Sequence, residues 1–510
     1  MDNYIEYIKA RCEKLNDMYF RNMHIDKHDV FIAYNEMLVD SSLVSNFVIR
    51  SMVDVLKENE NKDISSLKEK IEERLGYNDV NLENYLAINK IKKIDKDSDD
   101  VFLYLMSGFV LIILDNFTYV VEARCNLYRG ISEPTGENSI RGAKDSFVES
   151  ITKNVGLIRN RIKTEELVYL EQKIGRKTKT KLGLMFIDTI AKKDLVDFVK
   201  KKLETIDIDG ILDINYIQEF IEEDNEADFP VSITTERPDV VSYYLLQGRI
   251  VLLVDNSPFA LVLPAFFEDY FNSIDDYYQR KSNVFLTKII RYICMILTVM
   301  TPAMYLSLIT FDQESIPTDL LISFTSQREG VPFPAFVEAI IMIFAFEVLR
   351  ESDLRSNKIS GNTLSIVGAL ILGDAAVSAG IVSPIMIIVV ALTVISGLTF
   401  QDINIINALR RWRLVFLIFS SLCGLVGIAI ASTFYITSLV STTSYTKSFT
   451  YPLAPLNEIE AKYNIFSRSF IPKNVNRQKI LTNNLTKQRW LYEKIYFCVY
   501  YFGIVFWWTK

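Results

Sequence analysis

Histidine is almost absent from this 510-residue chain, which has only His24 and His28. Cysteine is scarce as well. The five cysteines are widely separated and two lie in apolar runs, so no CxxC zinc site and no disulfide framework follow. There is no HExxH helix, no P-loop, no GxGxxG after a strand and no GxSxG elbow. These absences leave no catalytic centre to assign, and no cofactor or metal is expected. His24 and His28 stand four apart, a spacing zinc can use on a helix, but no third ligand is in view and solvated surface histidines are the plainer reading. An excess of positive charge is also missing. Lys and Arg total 56 against 63 Asp and Glu, a net charge of -7. With no basic patch interleaved with aromatics, a general nucleic-acid binder is excluded. The opening stretch MDNYIEYIKARCEKL lacks the apolar core of a signal peptide, so the N-terminal part is expected to stay on the side of synthesis.

What the chain does have is asymmetry. Up to about residue 280 it is charged and mixed like a globular protein, and residues 289–440 are dominated by long apolar runs. The expected fold class is a soluble α/β N-terminal domain of two related subdomains, followed by an all-α polytopic membrane domain. The expected boundaries are 1–140, 141–280, 281–440 and a tail at 441–510. Residues 4–55 read as helical, with Ile, Leu, Met and Phe recurring between charges, and residues 95–100 read as an acidic loop. Gly108 opens GFVLIILDNFTYVV and Gly248 opens GRIVLLVDNSPFALV. In each, an apolar run, Asp-Asn and a second apolar run form a hairpin signature, and the pair suggests an internal repeat meeting near residues 133–141. Between the hairpins, Asp145 or Ser146 can cap a helix running to about Lys163, and further helices are expected at 193–203 and 214–221.

Five apolar segments are candidate membrane spans: 289–311, 334–349, 363–382, 384–400 and 414–440. Basic residues before the first (Arg280, Lys281, Lys288, Arg291), after the second (Arg350, Arg355, Lys358) and before the fifth (Arg410, Arg411, Arg413) all map to one face. The positive-inside rule makes that face cytoplasmic. Five crossings would put the tail outside, yet the tail is basic; either long segments obey the rule weakly or one segment is re-entrant. The aromatic end, 495–508, is short for a span and suits an interfacial helix or a thin sixth crossing.

Charged residues within apolar segments are the candidate functional groups. Asp374 lies inside the third span, where an ionised carboxylate needs water, a partner or the bundle interior. Ser378, one turn on, shares its polar strip. Ala369, Gly373, Ala376 and Gly380 form a small-residue stripe suited to close helix packing. Ion pathway and structural roles both remain open for Asp374. Glu338 and Glu347 are nine residues apart and so face opposite sides of one helix. Glu347 has Arg350 at i+3, whereas Glu338 has no basic residue at i+3 or i+4. A ring of Glu338 carboxylates could attract cations, and the alternative is an acid favoured by the helix N-terminus.

Several long motifs resemble the A subunits of spore nutrient-germinant receptors, the GerA family. They are RGAKDSFVESITKNVGLIRNRIK from Arg141, ERPDVV from Glu236, QGRIVLLVDNSPFALVLPAFF from Gln247, REGVPFPAFVEAIIMIFAFEVLRES from Arg328 and SIVGALILGDAAVSAGIVSPIMIIVVALTVISGL from Ser365. Arg141, Gly142, Glu149, Arg159, Arg161, Glu236, Arg237, Pro238, Asp239, Arg328 and Glu329 match the family's motifs, and salt bridges or caps explain them without catalysis. Arg355-Ser356-Asn357 departs from the family's Arg-Leu-Pro or Arg-Ile-Pro, and the aromatic C-terminus is longer than the family's. The resemblance implies a multi-pass protein of the spore inner membrane, in contact with membrane lipid, with its N-terminal domain on the cytoplasmic, spore-core side. It further implies a transporter-like B subunit and a lipoprotein C subunit as partners, a homo-oligomeric ring, and ion passage on nutrient binding with no enzymatic activity. The stage-five sporulation AF protein is a close paralogue with the same architecture. A non-conducting scaffold and a secondary transporter are the rival readings.

Overall fold

The structure is a computed structural model that describes residues 2–25, 28–53, 91–94, 100–114, 117–126, 136–137, 139, 141–222, 227–355, 373–445, 447–461, 477–482 and 484. The expected acidic loop (all but Asp100), Asp115-Asn116, residues 133–135, 138 and 140 of the junction at 133–141, the first part of the third span with Ala369, and the aromatic end at 495–508 lie outside the described residues. The chain divides into two compact units. One comprises Met1–Glu223, Thr234–Pro264 and Lys473–Lys510; the other comprises Asp224–Ile233 and Ala265–Pro472.

The first unit holds two five-stranded sheets with the same plan. In one, β1 (Met18–Ile25), β2 (His28–Asn35), β3 (Ile91–Ile94), β4 (Phe109–Leu114) and β5 (Phe117–Glu122) take the order β1-β2-β4-β5-β3. In the other, β6 (Leu167–Ile174), β7 (Thr180–Ile187), β8 (Ile233–Thr235), β9 (Ile250–Val254) and β10 (Ala260–Leu263) take the order β6-β7-β9-β10-β8. The two Asp-Asn hairpins of the sequence are β4–β5 and β9–β10, the third and fourth strands of each sheet. In both, a helix runs into a glycine and then the third strand: Asp100–Leu105 into Gly108, and Pro238–Gln247 into Gly248. Both glycines have positive φ, 82° and 96°, the left-handed cap that glycine adopts without a Cβ penalty. A Cβ on Gly108 would also meet the Leu38 carbonyl at 3.0 Å.

Residues 4–55 are not one helical stretch. A helix at Asp2–Arg11 is followed by the β1–β2 hairpin. The aromatic and β-branched residues of β2 pair with β4 in the register Ile32↔Ile112 and are buried in the sheet core. The tertiary partner overrides a spacing that local periodicity reads as helix. His24 consequently faces Asp29 across the hairpin, its Nδ1 2.7 Å from Oδ1, instead of stacking on His28 along a helix.

The helix expected from Asp145 or Ser146 begins later, at Ile151–Arg161. Asp145 is taken up by Arg161, and the first helical N–H, of Ile151, donates 3.1 Å to Asp255 Oδ1. Asp255 of the repeated Asp-Asn thus caps a helix in three dimensions besides ending a strand. The helices Lys193–Glu204 and Ile214–Ile221 fall where periodicity predicts them.

The second unit is helical, built on Lys281–Thr310, Thr318–Arg328, Ala335–Arg355, Pro384–Gly397 and Ile403–Ser441. Among the described residues, two helices are long and apolar enough to cross a membrane: Asn283–Thr310 and Ile403–Ser441. Ala335–Arg355 is interrupted by charge and Pro384–Gly397 is shorter, so the spans expected at 334–349 and 384–400 do not stand as full-length apolar rods among the described residues. Tyr305, Leu306, Ala339, Met342, Met386, Val390 and Leu417 join four of these helices in one apolar cluster.

Ile403–Ser441 is not a single rod. At Gly424 the backbone takes φ 61°, ψ -138°, which no helix contains. The Trp412 and Tyr435 rings lie 5.2 Å apart, and those of Phe419 and Phe434 5.9 Å. On a continuous helix rising 1.5 Å per residue these pairs would be separated by about 34 and about 22 Å. The chain therefore reverses at Gly424 into two antiparallel arms, 403–423 and 425–441, and the span expected at 414–440 is corrected to a helical hairpin. A Cβ on Gly427 would fall 2.0 Å from the Phe419 carbonyl oxygen, so the arms meet backbone to backbone there.

Candidate functional site

The sequence singles out the acids of the apolar half, and the structure places them at three distinct positions in the helical unit. Glu338, in the first turn of Ala335–Arg355, is fully buried, with no exposed surface. Its Oε1 accepts from Arg328 Nη2 at 3.2 Å, and its Oε2 accepts from the Ser383 N–H at 3.1 Å and the Ser383 hydroxyl at 2.9 Å. Its basic partner lies outside its own helical turn, ten residues upstream at the end of Thr318–Arg328. This carboxylate closes the connection between two helices, since Ser383 is the N-cap residue of Pro384–Gly397. It does not stand on an open surface in the single chain.

Glu347 lies two and a half turns further along the same helix. It gathers three arginines: Arg350 at 3.5 Å, Arg410 through two N–H groups, and Arg413 at 3.0 Å. The expected local pair with Arg350 is present, and the stronger contacts come from the first arm of the hairpin. The helical unit thus has an acid latch toward each end of one helix, separated by about 14 Å of helix rise.

Asp374 and Ser378 are exposed, on a described helical stretch at 373–378. Gly373 lies on the inner side of the same stretch: a Cβ there would be in ordinary contact with Ile387 at 3.9 Å, and Ala376 packs against the apolar cluster. Gly380 ends this helix. Its φ is 67°, and the Ile381 N–H reaches back to the Ala376 carbonyl at 3.0 Å, a Schellman-type stop. It therefore terminates the stripe and does not continue it.

The family-motif residues of the first unit are mostly structural. Arg159 and Asp17 form a salt bridge with both side chains fully enclosed. Arg159 Nη2 donates to Asp17 Oδ1 at 2.8 Å and Nη1 reaches Met106 Sδ at 3.6 Å. Arg161 holds Asp145 at 2.6 Å. Arg237 clasps Asp239 at 2.8 Å in a buried pair, and Pro238 starts the helix at a position that needs no N–H. Glu149 contributes its backbone carbonyl, which accepts from Asn256 N–H at 2.7 Å. Arg141, Gly142 and Glu329 are exposed.

Sequence reasoning passed over Glu137. Its carboxylate accepts from the Thr235 hydroxyl at 2.9 Å and the Glu236 N–H at 3.2 Å. Burial, together with the neighbouring Glu236 charge, raises its pKa to about 7 against the pull of these donors and of Arg237. The signal available in the sequence was its place next to Gly136, whose N–H approaches Glu236 at 3.4 Å.

Residues 6–480 match the family described as Bacillus/Clostridium GerA spore germination protein. The chain belongs to the GerA family. It is 36% identical over 463 residues to spore germination protein KA of Bacillus subtilis (strain 168), covering 90% of this chain and 82% of that protein. It is 34% identical over 468 residues to the uncharacterized membrane protein YfkQ of the same organism, covering 91% and 88%. The N-terminal domain of the A subunit of the Bacillus megaterium germinant receptor GerK3 shares 31% identity, covering 52% of this chain and 94% of that one, at a TM-score of 0.36. Membership in the GerA family supports a role in spore germination. It is a germination-protein family and not a known enzyme family.

Proposed function

We infer that this GerA-family chain is a membrane subunit of a spore nutrient-germinant receptor, and that copies of it assemble into a nutrient-gated ion channel. The observation that carries the membrane reading is the surface of the two longest apolar helices. Phe285, Leu286, Ile290, Ile293 and Ile296 on one, and Leu414, Ile418, Leu422, Val426, Phe434 and Ile436 on the other, are exposed along their lengths. A soluble protein would leave these as apolar patches in water, whereas lipid or neighbouring copies would cover them. The resemblance to the membrane protein YfkQ supports the same reading. The domain boundaries 1–140, 141–280, 281–440 and 441–510 belong to this proposal, as do the spore inner membrane with the N-terminal part on the cytoplasmic side, and the B and C subunits as partners.

Within the channel reading, Asp374 and Ser378 are the pathway candidates, because both are exposed beside a face that packs inward. A ring of Asp374 carboxylates would concentrate cations. Glu338, enclosed by Arg328 and Ser383, is assigned to holding the helices. The test is flux into liposomes containing assembled protein. Asp374→Asn should lower cation flux several-fold at equal assembly, and Glu338→Gln should act through the amount of assembled protein. Unchanged flux and cation preference in Asp374→Asn would remove that residue from the path and favour the non-conducting scaffold.

A further inference from the structure

The hairpin at Gly424 changes how the chain is threaded. We propose that Ile403–Ser441 passes the membrane twice, with its apex on the face opposite the start of the 281–310 helix, so that the chain after Ser441 returns to the face where that helix begins. This rests on the membrane reading above and adds the side on which the tail emerges.

The apex sits at the far end of the 281–310 helix. Asp312, just beyond that end, accepts from the Ser307 hydroxyl at 2.8 Å and from the Leu425 N–H at 3.0 Å. Leu425 opens the second arm, and a carboxylate at a helix N-terminus satisfies free N–H groups and favours the positive end of the dipole. Gly424 is required there twice over, by its positive φ and because a Cβ would fall 2.8 Å from both Asp312 Oδ2 and Phe311 Cβ. Below the apex, the Ser420 hydroxyl donates to the Ala303 carbonyl at 2.6 Å, and the Tyr435 hydroxyl lies 3.6 Å from Met295 Sδ. Both arms therefore run back along the same helix.

The feet of the hairpin meet at one place. Arg411 of the first arm donates to the Asp228 carbonyl at 2.6 Å, and Ser438 of the second donates to the Asp228 carboxylate at 2.7 Å. Phe229 packs on Tyr435 at 5.8 Å. Beyond the second foot, the Ser444 hydroxyl donates to the Val231 carbonyl at 2.9 Å, and the Phe449 carbonyl accepts from the Phe267 N–H at 2.9 Å. Phe267 belongs to the segment entering the 281–310 helix, whose Arg291 is anchored to Asp276 and to the Phe271 carbonyl. Residues 442–450 thus lie at the end where that helix starts, while Asp312 and Gly424 lie at the other. The number of passes between residues 281 and 441 is even, and residues 442–450 share a face with the Arg410–Arg413 cluster. The positive-inside conflict raised by five spans disappears.

Two measurements test the proposal separately. In a full-length version with every cysteine replaced by serine, Phe419→Cys with Phe434→Cys, and independently Trp412→Cys with Tyr435→Cys, should each close an intrachain link with a short bifunctional thiol reagent. Failure of both pairs in folded protein would mean an unbroken helix and overturn the hairpin, whether or not the chain is in a membrane. In sealed vesicles, an impermeant thiol reagent should label Glu314→Cys from one side and Leu456→Cys only from the other. Labelling of both from the same side overturns the two-pass threading even if the hairpin links form. Release of the protein from vesicles by alkaline carbonate would defeat the membrane reading alone.

Discussion

The two units use buried ion pairs in different ways. In the sheet-bearing unit, Arg159 and Asp17 are both fully enclosed, and the arginine donates one N–H to Asp17 and another to Met106 Sδ. In the helical unit, Glu338 is equally enclosed but its Arg328 keeps about a fifth of its side chain in contact with solvent (22%). At Glu347 the acid is itself a quarter exposed (25%) and shared among three arginines. A pair with no exposed partner acts as a fixed strut, because separating it strands a charge with no water to take it. A pair with one wet partner is a latch that can open. The helical unit, which the proposed function requires to change state, holds two such latches on one helix, at Glu338 and Glu347.

That ordering predicts graded effects. Arg159→Met leaves Asp17 buried without its counter-charge and should cost about 3–5 kcal/mol, read as a large fall in the thermal midpoint of purified protein. Restoring it with Asp17→Leu in the same chain should recover most of the loss. Glu338→Ala strands the buried Ser383 N–H and one half-open arginine and should cost about 2–3 kcal/mol. Glu347→Ala should cost about 1 kcal/mol and shrink further in high salt, because Glu347 and its partners Arg350 and Arg410 each keep about a quarter of the side chain in solvent. Equal losses for the three variants would break the comparison. Glu338→Ala milder than Glu347→Ala would reverse the assignment of which latch holds the bundle.

Much of this was readable in the residues, and the parts that were not share a physical cause. The 193–204 and 214–221 helices announce themselves through local periodicity. Gly108 and Gly248 mark the same left-handed turn in both sheets, so the repeated plan shows in the chain before any strand is paired. Local spacing misleads at β1–β2, where the burial that makes these residues strands comes from β4, far along the chain. It fails too for the partners of Glu338 and Arg159, which lie outside any helical turn. The hairpin escapes because apolarity reports length in a membrane and says nothing of the dihedral at one glycine. Gly424 and Gly427 stood in the apolar run as two small residues, and only the close approach of the arms explains them.

The smallest expected effect concerns Glu137, an acid in the first unit that is held by neutral donors and has no direct salt bridge among the described residues. The groups facing it are the Thr235 hydroxyl, the Glu236 N–H and carboxylate, and the Arg237 guanidinium. Burial raises its pKa from 4.5 to about 7, so the folded chain favours the protonated form more than the unfolded chain does. By linkage, its contribution to stability is complete below about pH 4.5 and is lost as pH rises through 7. Hydrogen exchange of the full-length protein in detergent should therefore show backbone N–H groups at 235–237 opening more readily at pH 8 than at pH 6, after correction for the intrinsic exchange rate. Glu137→Gln keeps the size, supplies a neutral side chain at every pH, and should flatten that dependence while leaving the Arg159 and Glu338 effects unchanged. A pH dependence that survives in Glu137→Gln would assign the titration to another group. A flat profile in the unmodified chain would mean that Arg237 and the two donors already hold Glu137 ionised, which would make it a third member of the paired acids and not the exception to them.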